Sequence, residues 1–214
     1  MATSCLHPFA LLGRFLLPAA LLLFVAQAHA GLVLHYTFDE TSGTTAADSS
    51  GSGNTGTLTN MTGTEWTTGR IGGALNFDGS NDRITVPIAA LDGATAFSAA
   101  LWINLNPAGE MYWLSVANAA ATNELLVGRV ADGDFRWYWN HGVKPDPFST
   151  TSWTSTWKHL VLTRPSAGNL MNIYVDGSLV HTEDIPSARF ALEMAVFDLL
   201  SHLPLLHRFQ GLPR

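Results

Sequence analysis

The chain has little that would staple, charge or catalyse. Its single cysteine, Cys5, falls within the first thirty residues, so no disulfide framework can hold the remainder together. Charged residues make up only 13% of the chain, and the net charge is −6 with no basic stripe, which argues against nucleic acid and anionic membrane surfaces as partners. No Gly-x-Ser-x-Gly elbow, His-Glu-x-x-His pair or phosphate loop occurs. No sustained helical period, no solenoid- or propeller-length repeat and no linker interrupts the region from Gly31 to about Val180.

What is present is apolar and rich in turn residues. With 47% hydrophobic residues and 19 glycines, the composition predicts a packed core built from many short strands. The N-terminus reads as an export signal: Arg14, the apolar run Phe15 to Gln27, then Ala28-His29-Ala30 with small residues where a signal peptidase needs them. The run is shorter than the ~20 residues a membrane-crossing helix requires, so no membrane insertion is expected after cleavage, and residues 1–30 are assigned to the signal peptide. Those thirty residues hold one Arg and no acid, so without them the chain is one unit more negative. A secreted or cell-surface location follows.

Period-two alternation marks a series of strands. Leu32, Leu34, Tyr36 and Phe38 would share one face of a first strand, before a polar loop from Thr41 to Leu58. Further strands are expected at Ala74–Phe77, Arg83–Pro87, Ser98–Leu105, Tyr112–Val116, Glu124–Val130, Phe135–Asn140, Lys158–Thr163 and Met171–Val175. Asp78-Gly79, Asp92-Gly93, Asp132-Gly133 and Asp176-Gly177 punctuate them, each offering a glycine for positive φ at a reversal. The reading is one all-β, two-sheet antiparallel sandwich over residues 31–187. Residues 188–214 break the alternation, with helix-friendly Ala191 to Leu200, and read as an irregular or helical C-terminal tail.

Several blocks then resemble a known family. They are Leu34-His35-Tyr36-Thr37-Phe38-Asp39-Glu40, Gly72-Gly73-Ala74-Leu75-Asn76-Phe77-Asp78-Gly79, Phe97-Ser98-Ala99-Ala100-Leu101-Trp102, Trp157-Lys158-His159-Leu160-Val161-Leu162-Thr163 and Asn172-Ile173-Tyr174-Val175-Asp176-Gly177. Their order and spacing resemble the laminin-G-like, concanavalin A-like jelly-roll domains of exported proteins. The resemblance implies a jelly roll that binds carbohydrate or protein outside the cell. The family closes with a Phe-x-Gly-x-Ile-Asp-Glu-Val type of strand beside the first one. Here Phe209-Gln210-Gly211-Leu212 echoes only its start, so the tail either replaces that strand or marks a truncated product.

Three constellations are candidates for function. Glucanase relatives of this fold place two carboxylates on one strand as Glu-x-Asp-x-x-Glu, and no Glu of this chain begins that pattern, so a non-enzymatic module is expected. Asp39, Asp48 and Asn54 border the Gly/Ser-rich loop, where clustered oxygens suit a structural calcium ion; closing their own turns is the alternative. In Phe135-Arg136-Trp137-Tyr138-Trp139-Asn140-His141 the three odd-numbered aromatics suit either core or a sugar platform. With them in the core, Arg136, Tyr138, Asn140 and His141 face ligand. The expected partner is a polysaccharide or extracellular glycoprotein. A structural or adhesive protein-interaction domain is the alternative, and a glycoside hydrolase relative a weaker one.

Overall fold

A computed structural model of the chain describes residues 31–86, 94, 96–105, 110–117, 123–139, 142–143, 147–165, 167–185 and 194–198. The expected strands form at nearly the expected places, because the alternation that marks them is what a two-layer core demands. The first five are β1 (Thr45–Ala46), β2 (Gly56–Thr59), β3 (Trp66–Thr68), β4 (Gly73–Leu75) and β5 (Arg83–Val86). The long strands follow: β6 (Phe97–Asn104), β7 (Met111–Ala117), β8 (Asn123–Arg129) and β9 (Phe135–Trp139). After the two-residue β10 (Gly142–Val143) come β11 (Trp157–Arg164), β12 (Leu170–Val175), β13 (Ser178–Asp184) and β14 (Met194–Asp198).

These strands make an eight-stranded sheet in the order β1-β2-β5-β14-β7-β8-β9-β10, a four-stranded sheet β13-β12-β11-β6, and the separate hairpin β3-β4. Every ladder is antiparallel. The core lies between the two large sheets. Ile84, Val86, Val116, Leu125, Val127 and Trp137 point into it from one side, and Ile103, Leu160, Leu162, Met171 and Ile173 from the other, each almost fully buried. Burial of this kind contributes about 1.5–3 kcal/mol per large side chain, which is how a domain without disulfides is held. The β12–β13 reversal uses Asp176-Gly177 with both φ angles positive (50° and 82°), the geometry that matches the twist of a two-residue hairpin.

Besides the loop expected from Thr41 to Leu58, which holds β1 and most of β2, two expectations are corrected. Residues 32–38 do not form a strand; only Tyr36 bridges, to Asp48. Leu34, Tyr36 and Phe38 do pack on the core, but the backbone is satisfied by the polar loop instead of a ladder. The Asn54 side-chain amide donates to the Val33 carbonyl (2.8 Å), Ser52 Oγ to Leu32 O (3.2 Å) and Ser49 N to His35 O (2.9 Å). Phe38, at φ 56°, then turns the chain out of extended geometry. The second correction is at the C-terminal end. Met194–Asp198, inside the stretch expected to be helical or irregular, is a strand paired with both β5 and β7. Its residues favour helix in isolation, but two open ladder edges offer more than local propensity does.

Candidate functional site

The hairpin β3-β4 stands beside the free side of β6, the edge strand of the four-stranded sheet, and a cleft of about 640 Å³ opens between them. Two hydrogen bonds tie the hairpin to the segment before β1. Asp39 Oδ1 accepts the Gly73 N–H at 2.8 Å, and the Trp66 indole N–H donates to the Gly43 carbonyl at 2.9 Å. Asn76 N donates to Glu65 O at 2.8 Å, and Glu65 in turn accepts from Thr62 N, Thr62 Oγ1 and Gly63 N. The Thr62 backbone bond leads these in holding the Glu65 carboxyl down at about 2. Gly73 is required: a Cβ there would sit 1.8 Å from the Phe38 carbonyl oxygen.

The cleft walls mix flat aromatics with amides and hydroxyls. Trp102 and Asn104 come from the outward-facing row of β6, Trp157 from the start of β11, and Thr68 and Asn76 from the hairpin side. Met111 and Trp113 of β7 line it more deeply. Trp102 is 40% exposed, unusual for the largest apolar side chain. Its ring is held on two sides: the Arg70 guanidinium carbon lies 5.6 Å from the ring centroid, and the His159 ring 4.9 Å away at 32°. Trp157 pairs across the ladder with Asn104, and His159 with Trp102, so the two indoles are diagonal neighbours on one face.

The residues singled out in the sequence fall elsewhere. Phe135, Trp137 and Trp139 are core, one of the two roles open to them in the sequence. Tyr138 lies on the opposite face but is only 9% exposed, packed with Tyr112 and Leu126 in a small cluster of its own, where Gly128 leaves room for the Tyr112 ring. Burial and a hydrogen bond to Glu110 push the Tyr112 hydroxyl far above its ordinary range. Arg136 is half-buried beside this cluster, across from Gly128. Asn140 and His141 lie outside the described residues.

Asp39, Asp48 and Asn54 are likewise spread over separate tasks. Both Asp48 oxygens are occupied: Oδ1 accepts from His35 N and Ser50 N, Oδ2 from Ser50 Oγ and Asn54 N, all within 3.0 Å. Partial desolvation raises its pKa, but those bonds outweigh it and hold the carboxyl well below the usual range. Four donors use the roughly four lone-pair sites of the Asp48 carboxylate, which matches the turn-closing alternative for that residue. Among the described residues no group of three or more His, Cys, Asp or Glu side chains is placed to hold a metal ion.

In the sequence, Trp102 and Trp157 stand out only as members of two family-like blocks. The signal was available: Leu101, Ile103 and Leu105 alternate inward, which puts Trp102 outward between Ala100 and Asn104.

A two-layer antiparallel sandwich with an aromatic-and-amide cleft at one sheet edge defines a lectin-like β-sandwich. The family model described as the concanavalin A-like lectin/glucanases superfamily matches residues 78–197, and the chain belongs to that laminin-G-like family. No curated protein sequence matches the chain. Among solved structures, it is similar to domain 4 of an extracellular arabinanase from Geobacillus stearothermophilus in complex with arabinotriose (19% identity, TM-score 0.55, covering 81% of this chain and 85% of that one). The botulinum neurotoxin serotype D binding domain matches at 16% identity and TM-score 0.54, covering 74% of this chain and 42% of that one. A Trypanosoma rangeli sialidase in complex with sialic acid matches at 18% and 0.57, over 82% and 28%. The chain thus spans less than half of the toxin and sialidase chains it matches, and at these identities the likeness is one of fold. Among the described residues no helix is long and apolar enough to cross a membrane.

Proposed function

We propose that the chain is a non-catalytic extracellular module that binds carbohydrate, free or on a glycoprotein, in the cleft between β6 and the β3-β4 hairpin. The observation that carries this reading is Trp102, a 40% exposed indole on the wall of a cleft edged with amides and hydroxyls. Pyranose and furanose rings bury C–H faces on flat aromatics while neighbouring amides bond their hydroxyls. The similar arabinanase domain, solved with arabinotriose, supports the sugar class. Binding without cleavage is supported by the chain's lack of a paired-carboxylate strand motif.

A protein-interaction role is favoured by a different feature. Ala100, Val161, Tyr174 and Leu179 lie in register across the outer face of the four-stranded sheet, and Leu179 is 56% exposed.

The test is titration calorimetry of the full chain with arabinotriose and a panel of neutral oligosaccharides. The expected result is millimolar or tighter binding to at least one, weakened about tenfold or more in Trp102→Ala, as loss of a stacking contact worth ~1–1.5 kcal/mol implies. A folded chain that binds no glycan would overturn the sugar reading and leave the protein-interaction role.

A further inference from the structure

The hairpin that walls the cleft is laddered to neither large sheet: β3 and β4 pair only with each other, over three residues each. A two-stranded unit of that size is marginally stable by itself, so it opens without disturbing the ladders around it. Its tip is Gly69-Arg70-Ile71-Gly72, closed by a backbone bond from Gly69 N to Gly72 O at 2.9 Å. Arg70 is exposed there, and Ile71 is 74% exposed, the most of any large apolar side chain among the described residues. The glycines on either side put no side chain in the way of an approaching molecule.

Arg70 differs in this from every other described basic residue. Arg83 lies on β5, Arg129 on β8, Arg136 on β9, and Lys158 and Arg164 on β11. Each of those strands is laddered on both sides. An endopeptidase must draw several residues of its substrate into extended form, and a strand with two partners is not free to comply. An exposed hairpin tip is, and cleavage then follows the population of the opened form.

Arg70 also touches the cleft wall. Its guanidinium carbon, 5.6 Å from the Trp102 ring centroid, covers a face of that indole. Among the described residues it has no carboxylate partner, so the ring contact is what holds the side chain.

We propose that the Arg70–Ile71 bond is a processing site for an arginine-specific endopeptidase acting outside the cell, and that the cut uncovers Trp102 for ligand. Water adds across the peptide bond, leaving a carboxylate on Arg70 and an ammonium on Ile71. The two pieces stay together, because β2 of the first remains laddered to β5 of the second and Asp39 still accepts the Gly73 N–H. What changes is the tip: Arg70 becomes a chain end and leaves the indole face. The cleavage site stands without the glycan reading above, and only its consequence for binding rests on it.

The experiment is brief digestion of the folded full chain with dilute trypsin, mapped by mass spectrometry, then calorimetry of the nicked product with arabinotriose and the neutral oligosaccharides. The bond after Arg70 is expected to be cut about tenfold or more faster than those after Arg83, Arg129, Arg136, Lys158 and Arg164. The nicked chain should run as one species in native buffer and as two in denaturant. It should bind the responsive glycan about threefold or more tightly than the intact chain, as loss of a cation–π contact over the ring implies. Arg70→Ala, uncut at that position, should match the nicked affinity.

Cleavage at any of the strand positions as fast as at Arg70 would overturn the site. Cleavage at Arg70 with affinity unchanged, in both the nicked chain and Arg70→Ala, would overturn the uncovering of Trp102. Failure of the glycan reading looks different: the tip is then still cut first, which upholds the site, while neither intact nor nicked chain binds any oligosaccharide, which removes its consequence.

Discussion

Tyr138 and Trp102 occupy equivalent positions on two strands, each an aromatic alternating with core residues and so turned away from the inter-sheet core. Their surroundings differ completely. Tyr138 is 9% exposed against Tyr112 and Leu126 on β9, an inner strand flanked by β8 and β10 in the eight-stranded sheet, whereas Trp102 is 40% exposed on the edge strand of the four-stranded one. Alternation therefore says which face a side chain takes, and it does not say whether that face is open. Position within the sheet decides that: a central strand has neighbours on both sides to fill the space, and an edge strand borders whatever stands next to it.

The sharpest way to break this contrast is to move one residue along β9. Trp137→Ala, at 0% exposure, should cost about 3–5 kcal/mol and unfold much of the population, measured by denaturant titration. Tyr138→Ala should cost less, about 1–3 kcal/mol, and leave glycan affinity of the surviving folded fraction unchanged; a loss of affinity with stability intact would instead return the site to that face. Trp102→Ala should do the reverse, moving stability by ~0.5 kcal/mol or so and affinity about tenfold.

A smaller effect concerns the hairpin that forms the far wall. Glu65 has its folded pKa lowered to about 2 from an ordinary 4.5, so its contribution to stability is complete above pH 4.5 and is lost as pH falls towards 2. A midpoint-versus-pH comparison of wild type and Glu65→Gln should therefore show a gap above pH 4.5 that closes by pH 2. The smallest expected effect is that of calcium. With the Asp48 lone pairs taken by N–H and O–H donors, the unfolding midpoint should agree within about 1 °C in calcium and in chelator, because only an ion that binds the native state shifts it. A rise of several degrees in calcium would show a cation site elsewhere in the domain.

Much of the sandwich was legible from residue alternation. β5 to β9, β11 and β12 fall within one or two residues of their expected ends, and Asp176-Gly177 forms the reversal its composition called for. The short β1, β2 and β3 and the strand β13 were not expected as strands, and two further segments were not legible, for opposite reasons. Leu32 to Phe38 alternates like a strand and packs Leu34, Tyr36 and Phe38 on the core while Leu32 stays exposed, yet Asp48, Ser49, Ser52 and Asn54 satisfy its backbone, and partners thirteen to twenty-one residues away leave no local mark. Met194 to Asp198 does not alternate, yet becomes a central strand because β5 and β7 need a partner between them.

The sequence by itself determined that this is an all-β sandwich, where most of its long strands run, and that it carries no nucleophile elbow, His-Glu-x-x-His pair, phosphate loop or paired-carboxylate strand. Those are consequences of period-two patterning and local turn chemistry, which act over a few neighbouring residues. Only the tertiary structure decided where a ligand can enter. Trp102 and Trp157 are 55 positions apart, and the cleft exists because the β3-β4 hairpin is tied by Asp39 and Gly43 beside a sheet edge. Openness is a property of packing between distant segments, and no local pattern records it.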